Sequence, residues 1–212
     1  MRILITAGPT REPIDAVRFI SNRSSGRVGI ALARAAAEAG DEVVLLLGPV
    51  PVMENMNTIC RIERFNTAAE LEHLLNEHFE WCQVLIMAAA VADYRSVHID
   101  NGKISREQTS NSPLTLRLEP TPDLVASVTA RKRSDQRVIA FALEQPELLE
   151  ARAAQKLHRK AVDAIVANPL QTMDSKYIQS LWLTAHGLRI DPGRLTKEQF
   201  AKWLLDRLKE LP

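Results

Sequence analysis

Apolar runs and helical stripes alternate along this chain. Arg2 to Ala7 is a near-continuous apolar run, and Arg27 to Ala39 repeats apolar residues at helical spacing. The pattern predicts a strand over 2–7 and a helix over 27–39. Strands over 42–47, 60–65, 83–90, 137–143 and 163–167 follow, with helices over 68–79, 122–131 and 147–160 among them and a last helix over 196–210. Val84-Leu-Ile-Met-Ala-Ala-Ala90 and Val138-Ile-Ala-Phe-Ala142 are apolar at consecutive positions, which suits strands covered on both faces. Thr67-x-x-Glu70 and Thr196-x-x-Gln199 have the capping-box pattern, and Pro122 and Pro146 stand where first-turn prolines belong. This alternation predicts an α/β fold with a doubly wound, mostly parallel, Rossmann-like sheet.

One segment breaks the pattern. From Ser96 to Glu119 there is no helical period. Val97-His-Ile-Asp100 and Leu114-Thr-Leu-Arg-Leu118 alternate apolar and polar around a polar tip, which predicts a small antiparallel β arm. A lone two-stranded ribbon is marginal in water, so the arm is a candidate dimer contact. A second short β region is expected over Tyr177–Leu183 and Leu188–Ile190.

Composition narrows the function classes. The chain has 212 residues, 46% hydrophobic and 25% charged, which suits one folded domain over 1–212 with the arm projecting from it. A net charge of +1 gives no bulk attraction to nucleic acid or to a membrane surface. Cys60 and Cys82 read as small hydrophobes of a reducing compartment. The histidines are scattered, so no metal site built from protein side chains is expected. A strand beginning at residue 2 leaves no room for a signal peptide, and no apolar run approaches the ~20 residues of a membrane span. A cytoplasmic location follows as the expectation.

Candidate chemistry starts at the first strand. Ile5-Thr-Ala-Gly-Pro-Thr-Arg-Glu-Pro13 leads to Ile20-Ser-Asn-Arg-Ser-Ser-Gly-Arg-Val-Gly29. Strand, polar loop and glycine-rich helix start form an anion site, because free N–H groups and the helix dipole point to one place. Gly8, Ser24, Ser25 and Gly26 are the candidate phosphate contacts; the alternative is an ordinary loop with Ser24 or Ser25 as N-cap. A dinucleotide fingerprint is disfavoured, since the glycines do not follow the strand directly and the second strand ends in Gly48-Pro49-Val50 without an acid. Asp93, after the small residues Ala88–Ala90, either meets a ligand at a strand end or caps a turn. Pro122, Asp123, Leu124 and Val125 open another helix, as an anion site or a plain cap. Lys156 and Lys160, one turn apart, either grip phosphates or stabilise a helix C-terminus. Lys103 is a hairpin lysine, Asn22 suits a left-handed turn, and Phe141 is core or a base contact.

Gly8-Pro-Thr-Arg-Glu-Pro13, Ser21-Asn-Arg-Ser-Ser-Gly26 and Ala88-Ala-Ala-Val-Ala-Asp-Tyr-Arg95 together resemble the phosphopantothenate–cysteine ligase family. Gly102-Lys103-Ile104, Thr121-Pro-Asp-Leu-Val125, Phe141-Ala-Leu-Glu144 and Lys156-Leu-His-Arg-Lys160 continue the resemblance in order. It implies a ligase that activates 4′-phosphopantothenate with CTP, Mg²⁺ accompanying the triphosphate, and then joins it to cysteine. It implies nucleotide contacts at Met87, Asp93, Lys103, Pro122, Asp123, Leu124, Val125, Phe141, Lys156 and Lys160. Asn22 would handle the acyl intermediate, and Lys103 would be a flap lysine acting in the cysteine step. A homodimer is implied, as is a separate decarboxylase. Many relatives carry a flavin-binding decarboxylase domain before the ligase. Since this chain starts at the ligase strand, no flavin is expected. The chain departs from the family at Lys103-Ile-Ser-Arg106, at Leu143 and Gln145, and at Ala167-Asn-Pro169.

Overall fold

The computed structural model describes residues 1–51, 56–105, 112–172 and 175–212. Of the readings made from the sequence, the loop residues Met53 to Asn55 and the arm's polar stretch at 106–111, which begins with Arg106, lie outside the described residues. In chain order the elements are β1 (Arg2–Ala7), β2 (Arg11–Pro13), β3 (Phe19–Ser21), α1 (Arg27–Glu38), β4 (Glu42–Leu47), α2 (Met56–Ile59) and β5 (Arg61–Arg64). Then come α3 (Ala68–His78), β6 (Val84–Met87), β7 (Tyr94–Ser96), β8 (Leu118–Pro120), α4 (Leu124–Thr129), β9 (Arg137–Glu144) and α5 (Leu149–Arg159). The chain ends with β10 (Ala164–Pro169), β11 (Tyr177–Gln179), β12 (Leu181–Thr184), β13 (Arg189–Ile190), β14 (Arg194–Thr196) and α6 (Lys197–Leu208).

The main sheet has the order β13-β12-β10-β9-β6-β1-β4-β5. From β5 to β10 every neighbouring pair is parallel, and β12 and β13 add an antiparallel edge. Counting only the parallel strands, the order is that of a doubly wound dinucleotide-type sheet, and its direction of winding reverses between β1 and β6. Strand alternation assigns the two faces. Ile3, Ile5 and Ala7 pack with α1 and α6, while Leu4 joins α3, α4 and α5 on the other side. No helix among the described residues is long and apolar enough to cross a membrane.

Several expected boundaries move, each for a local reason. The loop expected after β1 contains the antiparallel hairpin β2–β3, whose three-residue strands are too short to carry a period. Strand 83–90 ends at Met87, because Ala88–Ala90 turn away to bond the loop after β1. Helix 122–131 begins at Leu124: the Asp123 carboxylate accepts from Ala126 N–H at 3.2 Å, so Asp123 is the N-cap and Pro122 precedes it. Pro146 does take the first position of a short 3₁₀ turn before α5. The box at Thr196 and Gln199 is complete, whereas the Glu70 carboxylate accepts from Asn66 N–H at 2.7 Å instead of from Thr67 N–H. The stretch 177–183 splits at Ser180, with β11 pairing β14 outside the main sheet. In the arm, β7 pairs β8 and one further bond joins Val97 N–H to the Arg117 carbonyl at 3.0 Å. Leu114 and Leu116 lie outside any strand and are exposed, as are Val97 and Ile99.

Candidate active site

Two loops meet where the winding reverses. Pro9 and Ala90 bridge, Ala90 N–H donates to the Gly8 carbonyl at 2.9 Å, and Thr10 N–H donates to the Ala90 carbonyl at 3.1 Å. Two fully buried threonines lock the same loops: Thr6 Oγ1 accepts from Ala89 N–H at 3.1 Å and Thr10 Oγ1 from Ala92 N–H at 3.0 Å. Such a switch point leaves a crevice at the carboxyl ends of the strands, where open α/β sheets take their ligands. Ala88 to Ala90 let a ligand reach the main chain there.

The N-terminal loop supplies one wall. Asn22 Nδ2 donates to the Ala90 carbonyl at 2.9 Å and Ser21 Oγ to the Thr10 carbonyl at 2.6 Å. Asn22 therefore holds the two loops together, and it does not occupy the left-handed region. Gly26 does, at φ 69°, as the N-cap of α1. No side chain caps α1 and no acid stands in its first turn, whereas Thr67, Asp123 and Thr196 cap α3, α4 and α6. Ser24 Oγ only accepts from Gly26 N–H at 3.4 Å. Free N–H groups of α1 thus stand at the end of β1 with the positive end of the helix dipole. Gly29 brings the helix that close, since a Cβ there would run into the Cβ of Ala7.

Charge pairs form the other wall. Thr121 N–H donates to the Asp93 carbonyl at 3.0 Å, and Thr121 Oγ1 to the Ala92 carbonyl at 2.5 Å, so residues 121–125 adjoin Asp93. The Asp93 side chain is exposed. Lys160 Nζ lies 3.0 Å from Asp123 Oδ1. Lys156 Nζ lies 2.6 Å from Glu144 Oε1, whose second oxygen accepts from Arg152 at 3.0 Å. Glu144 is buried at the end of β9. Burial pushes its carboxyl up, but Lys156 and Arg152 outweigh burial and hold it below its ordinary value. Asp123 is likewise lowered, burial being outweighed by Lys160, Ala126 N–H and Arg159.

Comparison with known proteins identifies the fold and its lineage. The family model described as the DNA/pantothenate metabolism flavoprotein C-terminal domain matches residues 1–211. The chain belongs to this family. Over 170 residues it is 42% identical to the "Coenzyme A biosynthesis bifunctional protein CoaBC" of Escherichia coli strain K12, covering 79% of the chain and 41% of that protein. It is 44% identical to a "Cysteine/Cysteine sulfinic acid decarboxylase" of an unknown prokaryotic organism, covering 80% of the chain and 46% of the relative. The chain spans under half the length of these curated relatives. Among solved structures, the C-terminal domain of CoaBC superposes with a TM-score of 0.83 at 32% identity, covering 99% of this chain and 94% of that one.

Within the pantothenate-metabolism fold the predicted residues fall into distinct settings. Gly8, Asn22, Ser24, Ser25 and Gly26 gather around the switch point, and Asp93 with Pro122–Val125 lies beside it. Met87 is buried, its sulfur accepting from Thr6 Oγ1 at 3.8 Å, and Leu124 is buried in the core. Phe141 faces the α1 and α6 side, its ring 6.4 Å from that of Phe200, on the sheet face opposite α5 with Lys156 and Lys160. The two lysines do not converge on one point; each already holds a carboxylate. Lys103 is exposed, on a segment laid against the β2–β3 hairpin. Sequence reasoning singled out no role for Asp15, Glu12 or Glu144. All three are buried carboxylates, and an acid directly after the apolar run of β9 was the available signal for Glu144. A cavity of about 620 Å³ beside Pro146, Pro169 and Arg194 contains none of the predicted residues.

Of the acids near the site, Asp123 and Glu144 are each paired with a lysine, whereas Asp93 is exposed. Among the described residues one group has metal-ligand spacing, Glu63, Glu77 and His78, on the edge strand β5 and the end of α3.

Proposed function

We propose that this chain joins 4′-phosphopantothenate to L-cysteine, with CTP as activating nucleotide. In the first step the carboxylate of 4′-phosphopantothenate attacks the α-phosphorus of CTP, the bond to the β-phosphate oxygen breaks, and pyrophosphate leaves. In the second the amine of cysteine attacks the acyl carbon of the acyl-cytidylate, loses a proton and expels CMP. Both nucleophiles come from substrates, so the protein has to position reactants and neutralise charge.

The uncapped start of α1 beside the switch point carries this reading. It offers main-chain N–H groups and a favourable dipole to a phosphate. Asn22, fixed on the Ala90 carbonyl, is assigned to the acyl-phosphate, and Lys103 to the amine step. Lys156, Lys160, Asp93 and residues 122–125 are assigned to the nucleotide, Met87 and Phe141 through their main chains. Mg²⁺ rides on the triphosphate, and no flavin takes part. The chain acts as a cytoplasmic homodimer of one ligase domain, paired through the arm at 96–119, and a separate decarboxylase takes its product.

The test is pyrophosphate release from the purified chain with 4′-phosphopantothenate and CTP or ATP side by side. Release that needs 4′-phosphopantothenate, favours CTP, and yields product only with cysteine is expected. Lys103→Gln should still form acyl-cytidylate yet make little product. Release independent of 4′-phosphopantothenate would overturn the reading.

A further inference from the structure

The tip of the β2–β3 hairpin, residues 14–18, grips the segment that carries Lys103. Asp100 N–H donates to the Ile14 carbonyl at 3.1 Å, and Ala16 N–H to the Gly102 carbonyl at 3.4 Å. Asp15 stands at the centre of this contact, 4% exposed. Its two oxygens have separate duties. Oδ1 accepts from Val17 N–H at 2.8 Å and Arg18 N–H at 2.7 Å, closing the hairpin tip. Oδ2 accepts from Ile104 N–H at 3.1 Å and lies 3.4 Å from Arg18 Nη2, which itself donates to the Ile104 carbonyl at 2.6 Å. The main chain is therefore pinned at Gly102 and Ile104, on either side of Lys103. From the same tip, β3 leads directly to Ser21 and Asn22 on the switch-point loops. Oδ1 alone would suffice to close the turn, which leaves Oδ2 to fix a segment far away in the sequence.

We propose that Asp15 is the positioning residue for Lys103, holding the flap segment through Oδ2 so that the ammonium is delivered to the acyl-nucleotide; this rests on the ligase reading above. Burial would raise the Asp15 carboxyl, but the N–H donors of Val17, Arg18 and Ile104 and the Arg18 charge together hold it below its ordinary value. It thus stays ionised as an acceptor under assay conditions.

Asp15→Asn separates the two duties. The amide oxygen can still accept from Val17 and Arg18, but its NH₂ group would face the Ile104 N–H and the Arg18 guanidinium, donor against donor. Two measurements on the full chain decide the matter. Amide hydrogen exchange should rise at least tenfold at Ile104, with β1 and β6 unchanged. In the assay, acyl-cytidylate trapped by hydroxylamine should form within twofold of the unmodified rate, while product formation with cysteine falls at least tenfold. Asp15→Asn combined with Lys103→Gln should be no slower than Lys103→Gln alone, a non-additivity that general loss of structure would not produce. Equal losses in both steps, additive losses in the double variant, or unchanged exchange at Ile104 would overturn the proposal. An unmodified chain that forms no acyl-cytidylate refutes the ligase reading, and with it the role for Lys103, while exchange still reports whether the tether exists.

Discussion

Replacing Lys156 by Ala separates two roles for the same ammonium. At present it neutralises Glu144, whose side chain is 7% exposed and whose other partner, Arg152, is 53% exposed. The variant leaves a buried carboxylate with one partly solvated counter-ion. A hydrogen bond to a charged group contributes about 1.5–3 kcal/mol, and breaking one partner of a buried pair leaves the other's desolvation uncompensated. At roughly 2–4 °C per kcal/mol for a chain of this size, the melting temperature should fall by about 3–12 °C. The combined variant Lys156→Ala with Glu144→Gln removes the stranded charge as well and should recover about 1 kcal/mol or more of that loss. If Lys156 also meets the triphosphate, KM for CTP in Lys156→Ala should rise roughly tenfold, about 1.4 kcal/mol, with KM for 4′-phosphopantothenate little changed. Glu144→Gln gives the opposite sign: it frees Lys156 from a competing carboxylate and removes a negative charge near the phosphates, so KM for CTP should drop several-fold. Thermal unfolding by circular dichroism and pyrophosphate release against CTP concentration read the two effects independently. A Lys156→Ala variant with lowered stability but unchanged KM for CTP would reduce the lysine to a structural clamp. A double variant no more stable than Lys156→Ala would refute the stranded-charge argument.

Gly29→Ala drives a methyl into Ala7 and should cost about 1–3 kcal/mol, measured by chemical denaturation; full stability would mean that α1 can lift from β1 without penalty. The lowered carboxyls of Glu144 and Asp123 set a pH dependence: their contribution is complete above the ordinary values of 4.5 and 3.8 and is lost as pH falls through the lower folded values. Urea midpoints should therefore drop on acidification below about pH 4.5, and Glu144→Gln should flatten the drop. Leu116→Asp, in the exposed apolar row of the arm, should yield monomers by light scattering with much reduced ligase activity and an unchanged melting profile of the core. An unmodified chain that is already monomeric, or a fully active monomeric variant, would remove the arm as an interface.

The fold was legible wherever one element could bury itself by its own pattern. Continuous apolar runs named the parallel strands, and the helical stripes named α1, α3, α5 and α6, because two-sided coverage writes an unbroken apolar signature. What escaped was decided by partners distant in the chain. The strand expected to reach Ala90 stops at Met87 because Gly8 and Thr10, far upstream, capture Ala90. The hairpin β2–β3 is held by Glu12, which accepts from Ala68 N–H at 2.9 Å, and by Asp15 on Ile104. Neither contact leaves a periodicity to read.

The same distinction governs the site. Part of its main-chain geometry left a trace: Gly26 and Gly29 mark where α1 comes close to β1, and of the two readings open for that loop, anion site or serine-capped turn, the structure removes the serine cap by leaving the helix start uncapped. Its charged part was not, because a lysine's partner depends on which helix returns beside which loop. The spacing of Lys156 and Lys160 allowed either a phosphate grip or cations at a helix C-terminus, and neither reading named their partners: α5 lays the first against Glu144 at the end of β9 and the second against Asp123 before α4. Pairing of this kind changes what the lysines can contribute to binding. A free cation gains its whole interaction with a phosphate, whereas a paired one gains only the difference between phosphate and carboxylate. With a net charge of +1 there is no long-range field to add to that difference. Any discrimination among anions at these lysines would then come from geometry, as an exchange of one partner for another, and not from net charge.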